Sequence, residues 1–321
     1  MKPKIYCTLP IPKEVEAYLA EHCQIRKWES EQPITRQDIL QEVGEIEGLL
    51  TAGLRINDEL LDHAPHLKIV SNMSVGYNNF DLKAMKKRNI IGTHTPNVLN
   101  DTVADLTFGL MLATARRIAE WDTYLKNGKW ERTKSDEPFF GLDVHHKTLG
   151  IIGMGRIGEV IAKRARFGFD MSVQYYNRNQ KVDVEQKMGI TYSDLDTLLA
   201  TSDFIVLLTP LTNETYQLIG AREFKLMKET AIFVNVSRGK TVDEQALIQA
   251  LQNEEIYGAG LDVFEQEPIQ KDNPLLGMPN VVTVPHIGSA TAQTRDAMAM
   301  RAAENLVAGL TGRGTWNQVP Y

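Results

Sequence analysis

Thiols are scarce in this sequence. It has two cysteines, Cys7 and Cys23, and neither belongs to a Cys-x-x-Cys pair. A disulfide framework and a thiolate zinc site are therefore excluded, and no bound metal is expected. No run of apolar residues approaches the roughly 18 that a membrane-spanning helix needs. Residues 1–16 include two early lysines but no apolar segment behind them that would make a signal peptide. We therefore expect a cytoplasmic protein without a membrane partner.

Positive charge is also in the minority. The chain has 35 Lys and Arg against 41 Asp and Glu, which gives a formal net charge of −6. A nucleic-acid partner is not expected, because phosphate backbones favour clustered Lys and Arg. An anionic ligand must then be attracted by local groups and not by the net field. At 321 residues, of which 43% are hydrophobic, the chain is too long for one core and suits two α/β domains.

Short β-branched runs alternate with helical stretches along the whole chain, a pattern that favours parallel sheets covered by helices on both faces. The predicted strands are residues 4–8, 47–51, 67–71, 90–93, 148–152, 171–176, 204–208, 231–236, 257–262 and 281–284. Helices are predicted at 12–22 and 291–310. A longer helix, with Asp101 and Thr102 as its N-cap, is predicted to run past Arg116 and Arg117 towards Gly128. This helix makes the crossing between two α/β units near residues 97–101.

A glycine-rich turn opens the second α/β unit. Residues 153–158 fit the pattern G-x-G-x-x-G, which alone is a weak signal, but they follow an apolar strand and begin a helix. In that context Gly153 allows a tight turn, Gly155 lets the backbone approach a pyrophosphate, and Gly158 lets the helix pack closely on the strand. The free N–H groups of the helix N-terminus then bind phosphate. The alternative is a strand-to-helix turn without a ligand.

The strand that follows this turn bears on the choice of cofactor. NAD-binding proteins of this type usually carry an acid about 20 residues on, which binds the ribose 2′-hydroxyl. Here the strand ends in Asn177 and Arg178, and Lys181 follows. Asn and Arg can hydrogen-bond a 2′-phosphate, which a carboxylate would repel. We therefore predict that NADPH is preferred and NADH tolerated; the alternative is that Arg178 is an ordinary solvated turn residue.

Three chemically capable side chains stand near strand ends in the second unit: Arg238, Glu267 and His286. In open α/β sheets, ligands bind beyond the carboxyl ends of the strands, so the three are expected to converge on one crevice. Taken singly, each has an ordinary structural explanation, as a surface base, a loop acid and a capping group. Their common position beyond the glycine loop favours a catalytic site.

These motifs together identify a family. The sequence resembles the D-isomer-specific 2-hydroxyacid dehydrogenases over essentially its whole length. The matching motifs are residues 153–158 (GMGRIG), 235–239 (NVSRG), 258–264 (GAGLDVF) and 285–289 (PHIGS). Within the family it looks closest to the bacterial glyoxylate/hydroxypyruvate reductases that also reduce 2-ketogluconate, on residues 143–150 (DVHHKTLG), 166–169 (RFGF) and 264–268 (FEQEP).

The resemblance implies a fold and a domain layout. We expect two doubly wound parallel-sheet domains, with a dinucleotide-binding Rossmann domain inserted into a flavodoxin-like substrate-binding domain. The Rossmann domain is expected at residues 99–288. The substrate-binding domain is expected to be discontinuous, at 1–98 and 289–321. The resemblance also implies a homodimer, and Trp121, Tyr124 and Trp130 are either interface anchors or ordinary core residues.

The resemblance further implies an Arg–Glu–His catalytic set, which maps onto Arg238, Glu267 and His286. A 2-keto acid receives hydride from the nicotinamide, and His286 donates a proton to the carbonyl oxygen as general acid. Glu267 orients the imidazole and favours its charged form. Arg238 binds the substrate carboxylate and keto oxygen.

Further contacts follow by position. Asp262 either bonds the nicotinamide amide or supports Arg238. The loop 73–76 resembles the family's carboxylate-binding loop, in which backbone N–H groups bind the substrate. The implied substrate contacts are Ser74, Val75, Gly76, Arg238 and His286. The implied cofactor contacts are Thr102, Gly153, Gly155, Arg156, Ile157, Gly158, Asn177, Arg178, Thr209, Pro210, Val236, Asp262 and Gly288.

Other readings remain open at this point. A 3-phosphoglycerate dehydrogenase would need an extra basic group for the substrate phosphate and often has a C-terminal regulatory domain, for which the eleven residues after Leu310 leave no room. Formate dehydrogenases replace the acid paired with the histidine by glutamine, whereas Glu267 is an acid. A dinucleotide-sensing, corepressor-like scaffold is a remote alternative. His145 and His146 are read as structural, because adjacent residues point apart and no third metal ligand lies at a useful spacing.

Overall fold

The computed structural model describes residues 2–131 and 139–320. The chain divides into two compact units. The first consists of Met1–Leu99 and Ser289–Tyr321, and the second of Asn100–Gly288. None of the helices in the described ranges is long and apolar enough to cross a membrane.

The described residues form twelve strands and twelve α-helices. The strands are β1 Lys4–Cys7, β2 Gln24–Lys27, β3 Gly48–Thr51, β4 Ile69–Asn72, β5 Ile91–Thr93, β6 Thr148–Ile152, β7 Ser172–Tyr176, β8 Thr191–Tyr192, β9 Phe204–Leu207, β10 Ile232–Asn235, β11 Gly258–Leu261 and β12 Val281–Thr283. The helices are α1 Lys13–His22, α2 Arg36–Glu42, α3 Asp58–His63, α4 Leu82–Lys87, α5 Asn100–Ala115, α6 Ile118–Lys126, α7 Arg156–Gly168, α8 Val182–Met188, α9 Leu195–Thr201, α10 Ala221–Leu226, α11 Glu244–Gln252 and α12 Ala292–Thr311. Short 3-10 helices lie at Val43–Glu45, Gly239–Thr241 and Pro274–Gly277.

The first unit is built on a five-stranded sheet in the order β2-β1-β3-β4-β5, in which every pair is parallel. This is the flavodoxin-like order, with its switch point between β1 and β3. Strands β3 and β4 are buried along their whole length. The last helix, α12, packs on β3 and β4. Its N-cap is Thr291, whose side chain accepts the N–H of Thr294.

The second unit is built on a seven-stranded parallel sheet in the order β12-β11-β10-β9-β6-β7-β8. Its first six strands in chain order have the Rossmann arrangement 3-2-1-4-5-6, and β12 adds a seventh strand at one edge. The order reverses between β6 and β9, and ligands of such sheets bind beyond the carboxyl ends of the strands at this point. The predicted fold class, two parallel-sheet α/β units of which one is a Rossmann fold, is confirmed.

The long helix predicted to pass Arg116 and Arg117 is interrupted there, so this prediction was wrong. Helix α5 ends at Ala115, whose carbonyl accepts the N–H of Leu142, at 2.8 Å, instead of a bond from a further helical turn. Arg117 adopts a left-handed conformation with φ 54°. Its guanidinium donates to both carboxylate oxygens of Glu120 at 2.7 Å and lies 4.2 Å from the ring centroid of Trp121. Tertiary contacts thus divide a continuous helical pattern into α5 and α6.

Two smaller differences concern the ends and edges of elements. Helix α5 begins at Asn100, so Asp101 and Thr102 lie in its first turn and are not its N-cap. Asp101 pairs instead with Arg164, at 3.0 Å. Strands β2 and β8 were not predicted, because β2 has a single apolar residue, Ile25, and β8 has two residues. Both are edge strands, which need few apolar side chains.

Candidate active site

The three glycines of the loop after β6 meet different surroundings. Gly153 has φ +105°, and its N–H donates to the Tyr176 carbonyl at 2.9 Å. A Cβ at Gly158 would lie 2.8 Å from the Gly153 carbonyl oxygen. Gly153 is therefore needed for the turn, and Gly158 for close packing inside the protein.

Gly155 is different, because a Cβ there would meet no described atom within 4 Å. It is the N-cap of α7, and no side chain caps this helix end. The first N–H groups of α7 thus lack intrahelical acceptors and are available to an anion. Thr209 follows β9 and lies beside Gly153, and its buried Oγ1 has no hydrogen-bond partner in the described chain. An open approach beside free donors and an orphaned hydroxyl fits a bound dinucleotide.

This contrast predicts opposite results for two glycine substitutions. Gly155→Ala should leave the melting temperature unchanged and weaken NADPH binding at least tenfold, because its methyl group occupies space that only a ligand would use. Gly158→Ala should destabilise the protein by about 1–3 kcal/mol through overpacking. Thermal melts and fluorescence titration with NADPH measure both effects. A Gly155→Ala variant that binds NADPH like the wild type would show that the open space is not a phosphate site.

Strand β7 is the neighbour of β6 in the sheet, so the residues that follow β7 lie beside the glycine loop that follows β6. Arg178 is exposed. The pKa of Glu214 is lowered by hydrogen bonds from Thr212 and its own backbone and, more weakly, by the charge of Arg178. Lys181 donates to Glu159 of α7 at 2.7 Å, so its charge is paired within the protein. Of the two basic residues after β7, Arg178 therefore contributes more than Lys181 to the positive charge expected beside the cofactor.

Glu267 and His286 form a hydrogen-bonded pair near the carboxyl ends of β11 and β12. The His286 Nδ1–H donates to Glu267 Oε2 at 2.7 Å, and the Phe264 N–H donates to Glu267 Oε1 at 3.1 Å. Partial burial raises the pKa of Glu267, but these hydrogen bonds and the charges of His286 and Arg238 outweigh it and hold the pKa below its ordinary value. Glu267 therefore stays ionised and fixes the imidazole with Nδ1 protonated.

Arg238 follows β10 in a turn that is held by hydrogen bonds from nearby side chains. The Asn235 Nδ2 and the Thr241 Oγ1 donate to the Arg238 carbonyl, at 3.2 and 2.6 Å. Burial lowers the pKa of Arg238, and the negative charges of Glu267 and Asp262 oppose that shift. The guanidinium stays positive because arginine is protonated at any physiological pH. Arg238, Glu267 and Asp262 therefore form one electrostatic cluster.

Asp262 holds the segment that follows His286. Its Oδ1 accepts the Ile287 N–H at 2.6 Å, and its Oδ2 accepts the Gly288 N–H at 3.0 Å. Burial raises the pKa of Asp262, although these donors and the charge of His286 act in the opposite direction. His286 has a left-handed φ of 51°, which is uncommon outside glycine. The two hydrogen bonds to Asp262 therefore help to hold the histidine in a strained backbone conformation.

The loop after β4, in the first unit, has its carbonyl groups occupied. The Ser74 carbonyl accepts the Thr95 N–H at 2.9 Å, the Val75 carbonyl accepts from His94 Nδ1 at 2.9 Å, and the Gly76 carbonyl accepts from Asn72 Nδ2 at 2.8 Å. The N–H groups of Val75 and Gly76 have no partner in the described part of the chain. The loop thus presents donors without competing acceptors, which suits a carboxylate ligand.

The remaining residues predicted to contact the cofactor lie in the second unit. Thr102 is in the first turn of α5, Arg156 and Ile157 open α7, Pro210 follows β9, and Val236 follows β10.

The two adjacent histidines each lie near a carboxylate. His146 pairs with Asp170 at 3.1 Å, and His145 lies 3.8 Å from Asp143. Within the described ranges, no group of three or more His, Cys, Asp and Glu side chains could hold a metal ion.

Comparisons with known proteins agree with this geometry. Residues 108–288 match the model of the D-isomer specific 2-hydroxyacid dehydrogenase NAD binding domain. Glyoxylate/hydroxypyruvate reductase B of Yersinia pestis is 47% identical over 312 residues, which cover 97% of this chain and 95% of that protein. The chain belongs to the D-isomer specific 2-hydroxyacid dehydrogenase family.

Two solved structures extend the comparison. A protein from Thermus thermophilus superposes with a TM-score of 0.90 at 39% identity, covering 99% of this chain and 100% of that one. An NADPH-dependent glyoxylate/hydroxypyruvate reductase from Sinorhizobium meliloti, in complex with NADP and malonate, has a TM-score of 0.86 at 33% identity, covering 99% and 97%. The chain is thus an NAD(P)-dependent oxidoreductase of this dehydrogenase family.

Sequence reasoning missed several residues that position this dehydrogenase site. Asn72 and Asn235 are the last residues of two buried strands, and their side chains bind the backbone of the next loop. A buried polar residue at a strand end is a signal that could have been read. The close approach of Gly239 to Phe264 could not, because it joins two loops that are distant in sequence.

Proposed function

We propose that this enzyme reduces small 2-keto acids, among them glyoxylate, hydroxypyruvate and 2-ketogluconate, to D-2-hydroxy acids with NADPH as the preferred cofactor and NADH tolerated. The observation that carries the proposal is the pair of His286 and Glu267, 2.7 Å apart and electrostatically coupled to Arg238. The names of the Yersinia and Sinorhizobium relatives support glyoxylate and hydroxypyruvate among these substrates.

The catalytic residues have distinct roles in this proposal. A bound nicotinamide supplies the hydride to the carbonyl carbon. His286, whose Nδ1–H is held by Glu267, donates the proton on Nε2 to the keto oxygen. Glu267 compensates the imidazolium charge and prevents rotation of the ring. In the oxidative direction His286 accepts the proton from the hydroxyl group.

Substrate binding is assigned to cationic and N–H donors. Arg238 binds the carboxylate and the keto oxygen through its planar guanidinium, whose partial burial strengthens the interaction. The free N–H groups of Val75 and Gly76 bind the carboxylate, and Ser74 completes that loop. These groups orient the keto acid for hydride attack, which is where enzymes gain much of their rate.

Steady-state kcat/KM values for the three keto acids, each with NADPH and with NADH, test the function. We expect turnover with all three and an NADPH advantage of about tenfold or more, equivalent to about 1.4 kcal/mol. Preference for NADH would contradict the assignment of Asn177 and Arg178. No turnover with any pair, in a protein that binds NADPH, would contradict the proposed substrates.

Charge reversal at Arg178 provides a sharper test of cofactor choice. Arg178→Glu should lower kcat/KM with NADPH at least 100-fold, because a carboxylate repels the 2′-phosphate, and should change kcat/KM with NADH less than threefold. Arg313→Glu, at an exposed arginine of the first unit, makes the same change in net charge. If both variants lose NADPH activity equally, the effect is one of net charge and not of a 2′-phosphate contact.

We also propose a homodimer. Several large apolar side chains of the second unit are exposed, and three of them lie on or directly after α6: Ile118 at 53%, Leu125 at 54% and Trp130 at 69%. Exposed large apolar side chains of this kind mark an interaction surface where they form one patch. Light scattering at micromolar concentration should give twice the chain mass of 36.1 kDa, and a monomer would contradict the proposal. A cytoplasmic location stays a prediction from the sequence.

A further inference from the structure

The first unit contains a cavity that none of the proposed roles uses. Its volume is about 510 Å³, and it is lined by Thr8, Leu9, Ala52, Gly53, Arg55 and Asn57, among others. We call it the distal pocket. Thr8 follows β1, and Ala52 and Gly53 follow β3, so the pocket lies at the carboxyl ends of the two strands between which the order of this sheet reverses. That position favours ligand binding in open α/β sheets.

The polar groups of the distal pocket divide into those already engaged and those available. Arg36 is engaged, since it donates to the Arg55 carbonyl at 2.8 Å and to Glu59 at 3.0 Å. The guanidinium of Arg55 is exposed and makes no hydrogen bond or ion pair with any described residue. The amide nitrogen of Asn57 likewise has no described acceptor, because only its oxygen is used, by Arg36 and the Leu60 N–H.

The distal pocket offers hydrogen-bond donors and an acceptor side by side. Arg55 and the Asn57 amide donate hydrogen bonds, while the Glu59 carboxylate accepts them. A hydroxylated chain can serve both kinds of group, because each hydroxyl donates and accepts. The hydroxyls of Thr8 and Thr51, hydrogen-bonded at 2.8 Å, add a polar inner wall.

The distal pocket is connected to the loop that presents the free N–H groups. The Gly53 N–H donates to Asn72 Oδ1 at 3.2 Å, and Asn72 Nδ2 donates to the Gly76 carbonyl at 2.8 Å. One amide side chain therefore joins a residue of the pocket to a residue of the loop. A tail that extends from a carboxylate at Val75 and Gly76 past Asn72 would enter the pocket, whereas a two-carbon acid has no atoms to place there.

From this geometry we infer that the distal pocket binds the hydroxylated tail of longer 2-keto acids, with Arg55 as the residue that determines this specificity. The inference rests on the proposed function and deepens it. It implies that long, hydroxylated keto acids and two-carbon keto acids share the same carboxylate contacts and differ only in their use of the pocket.

The test compares Arg55→Met with wild type on substrates that differ in the tail. We expect kcat/KM for 2-ketogluconate to fall about tenfold or more, and kcat/KM for glyoxylate to stay within twofold. Arg55→Lys keeps one charged donor and should restore part of the loss. Ala52→Leu, which narrows the pocket without changing its charge, should also impair only the longer substrate. Arg313→Met is the matched control for loss of an exposed arginine in the same unit.

Other outcomes overturn the inference in distinguishable ways. Equal effects of Arg55→Met on glyoxylate and 2-ketogluconate would place Arg55 in a general role and not in a tail contact. A loss confined to 3-phosphohydroxypyruvate would make the distal pocket a phosphate site. An equal loss on 2-oxohexanoate, whose tail has no hydroxyls, would show that the distal pocket accommodates the length of the tail and does not recognise its hydroxyls. If the wild type turns over none of the acids, the proposed function fails. Calorimetric titration of wild type and Arg55→Met with 2-ketogluconate then tests the pocket by itself, and equal affinities would contradict the inference.

Discussion

The His286→Gln variant should lose about 10²- to 10⁴-fold in kcat, while its melting temperature and its affinity for NADPH match those of the wild type. Glutamine can still donate a hydrogen bond to Glu267, but it cannot release a proton to the keto oxygen. The side chain is partly exposed, at 45%, so its replacement leaves no cavity. Glyoxylate reduction at saturating NADPH is the measurement.

The matched control is His66→Gln, at an exposed histidine of the first unit, which should retain full activity. Turnover of His286→Gln within threefold of wild type would remove His286 from proton transfer. If the variant instead binds NADPH poorly, the loss belongs to cofactor binding, and kcat at saturating cofactor separates the two cases.

The low pKa of Glu267 affects the pH dependence of stability in the acid range. Its pKa is lower in the folded protein than in the unfolded chain, so its stabilising contribution is present above the unfolded value of about 4.3. That contribution is lost as the pH falls through the folded pKa. Around neutral pH the carboxylate is therefore always charged. A change in kcat between pH 6 and 8 therefore does not report the titration of Glu267 itself, and Glu267→Gln should lower kcat because the imidazolium loses its charged partner.

Much of the fold could be predicted from the sequence, because apolar runs and glycine turns are local signals. The Rossmann unit is an example: the strand ending at Ile152, the turn at Gly153 and the helix from Arg156 stand in order along the chain. Parallel strands bring their carboxyl ends to one edge, and this rule also predicted that Arg238, Glu267 and His286 would converge.

Other features depend on contacts between distant segments. The helical pattern continues through Arg117, yet the helix stops because Leu142 binds the Ala115 carbonyl. The charge of Lys181 is engaged by Glu159, from a helix 22 residues earlier. The hydrogen bonds of Asp262 go to Ile287 and Gly288, a role that was not foreseen. Such pairings are set by tertiary packing, which local patterns do not encode.

Gly239→Ala is expected to have the largest effect on stability. A Cβ at Gly239 would lie 1.8 Å from both the carbonyl carbon and the carbonyl oxygen of Phe264, and 2.4 Å from the Glu265 nitrogen. These are backbone atoms, so no side-chain rotation relieves the overlap. The loop of Arg238 and the loop of Glu267 would have to move apart, at a cost of about 3 kcal/mol or more in the free energy of unfolding.

The same displacement should reduce catalysis, because Gly239 is adjacent to Arg238, and Phe264 donates its N–H to Glu267. A shift of about 1 Å between catalytic groups can cost on the order of 100-fold in rate. Urea unfolding measures the first effect, and kcat of the fraction that remains folded measures the second. Gly109→Ala is the control: its Cβ meets nothing within 4 Å in helix α5, and alanine should stabilise that helix by up to about 1 kcal/mol. A Gly239→Ala enzyme with wild-type stability and kcat would show that the two loops are not held in register by this contact, and the arrangement of Arg238 with Glu267 would then need another cause.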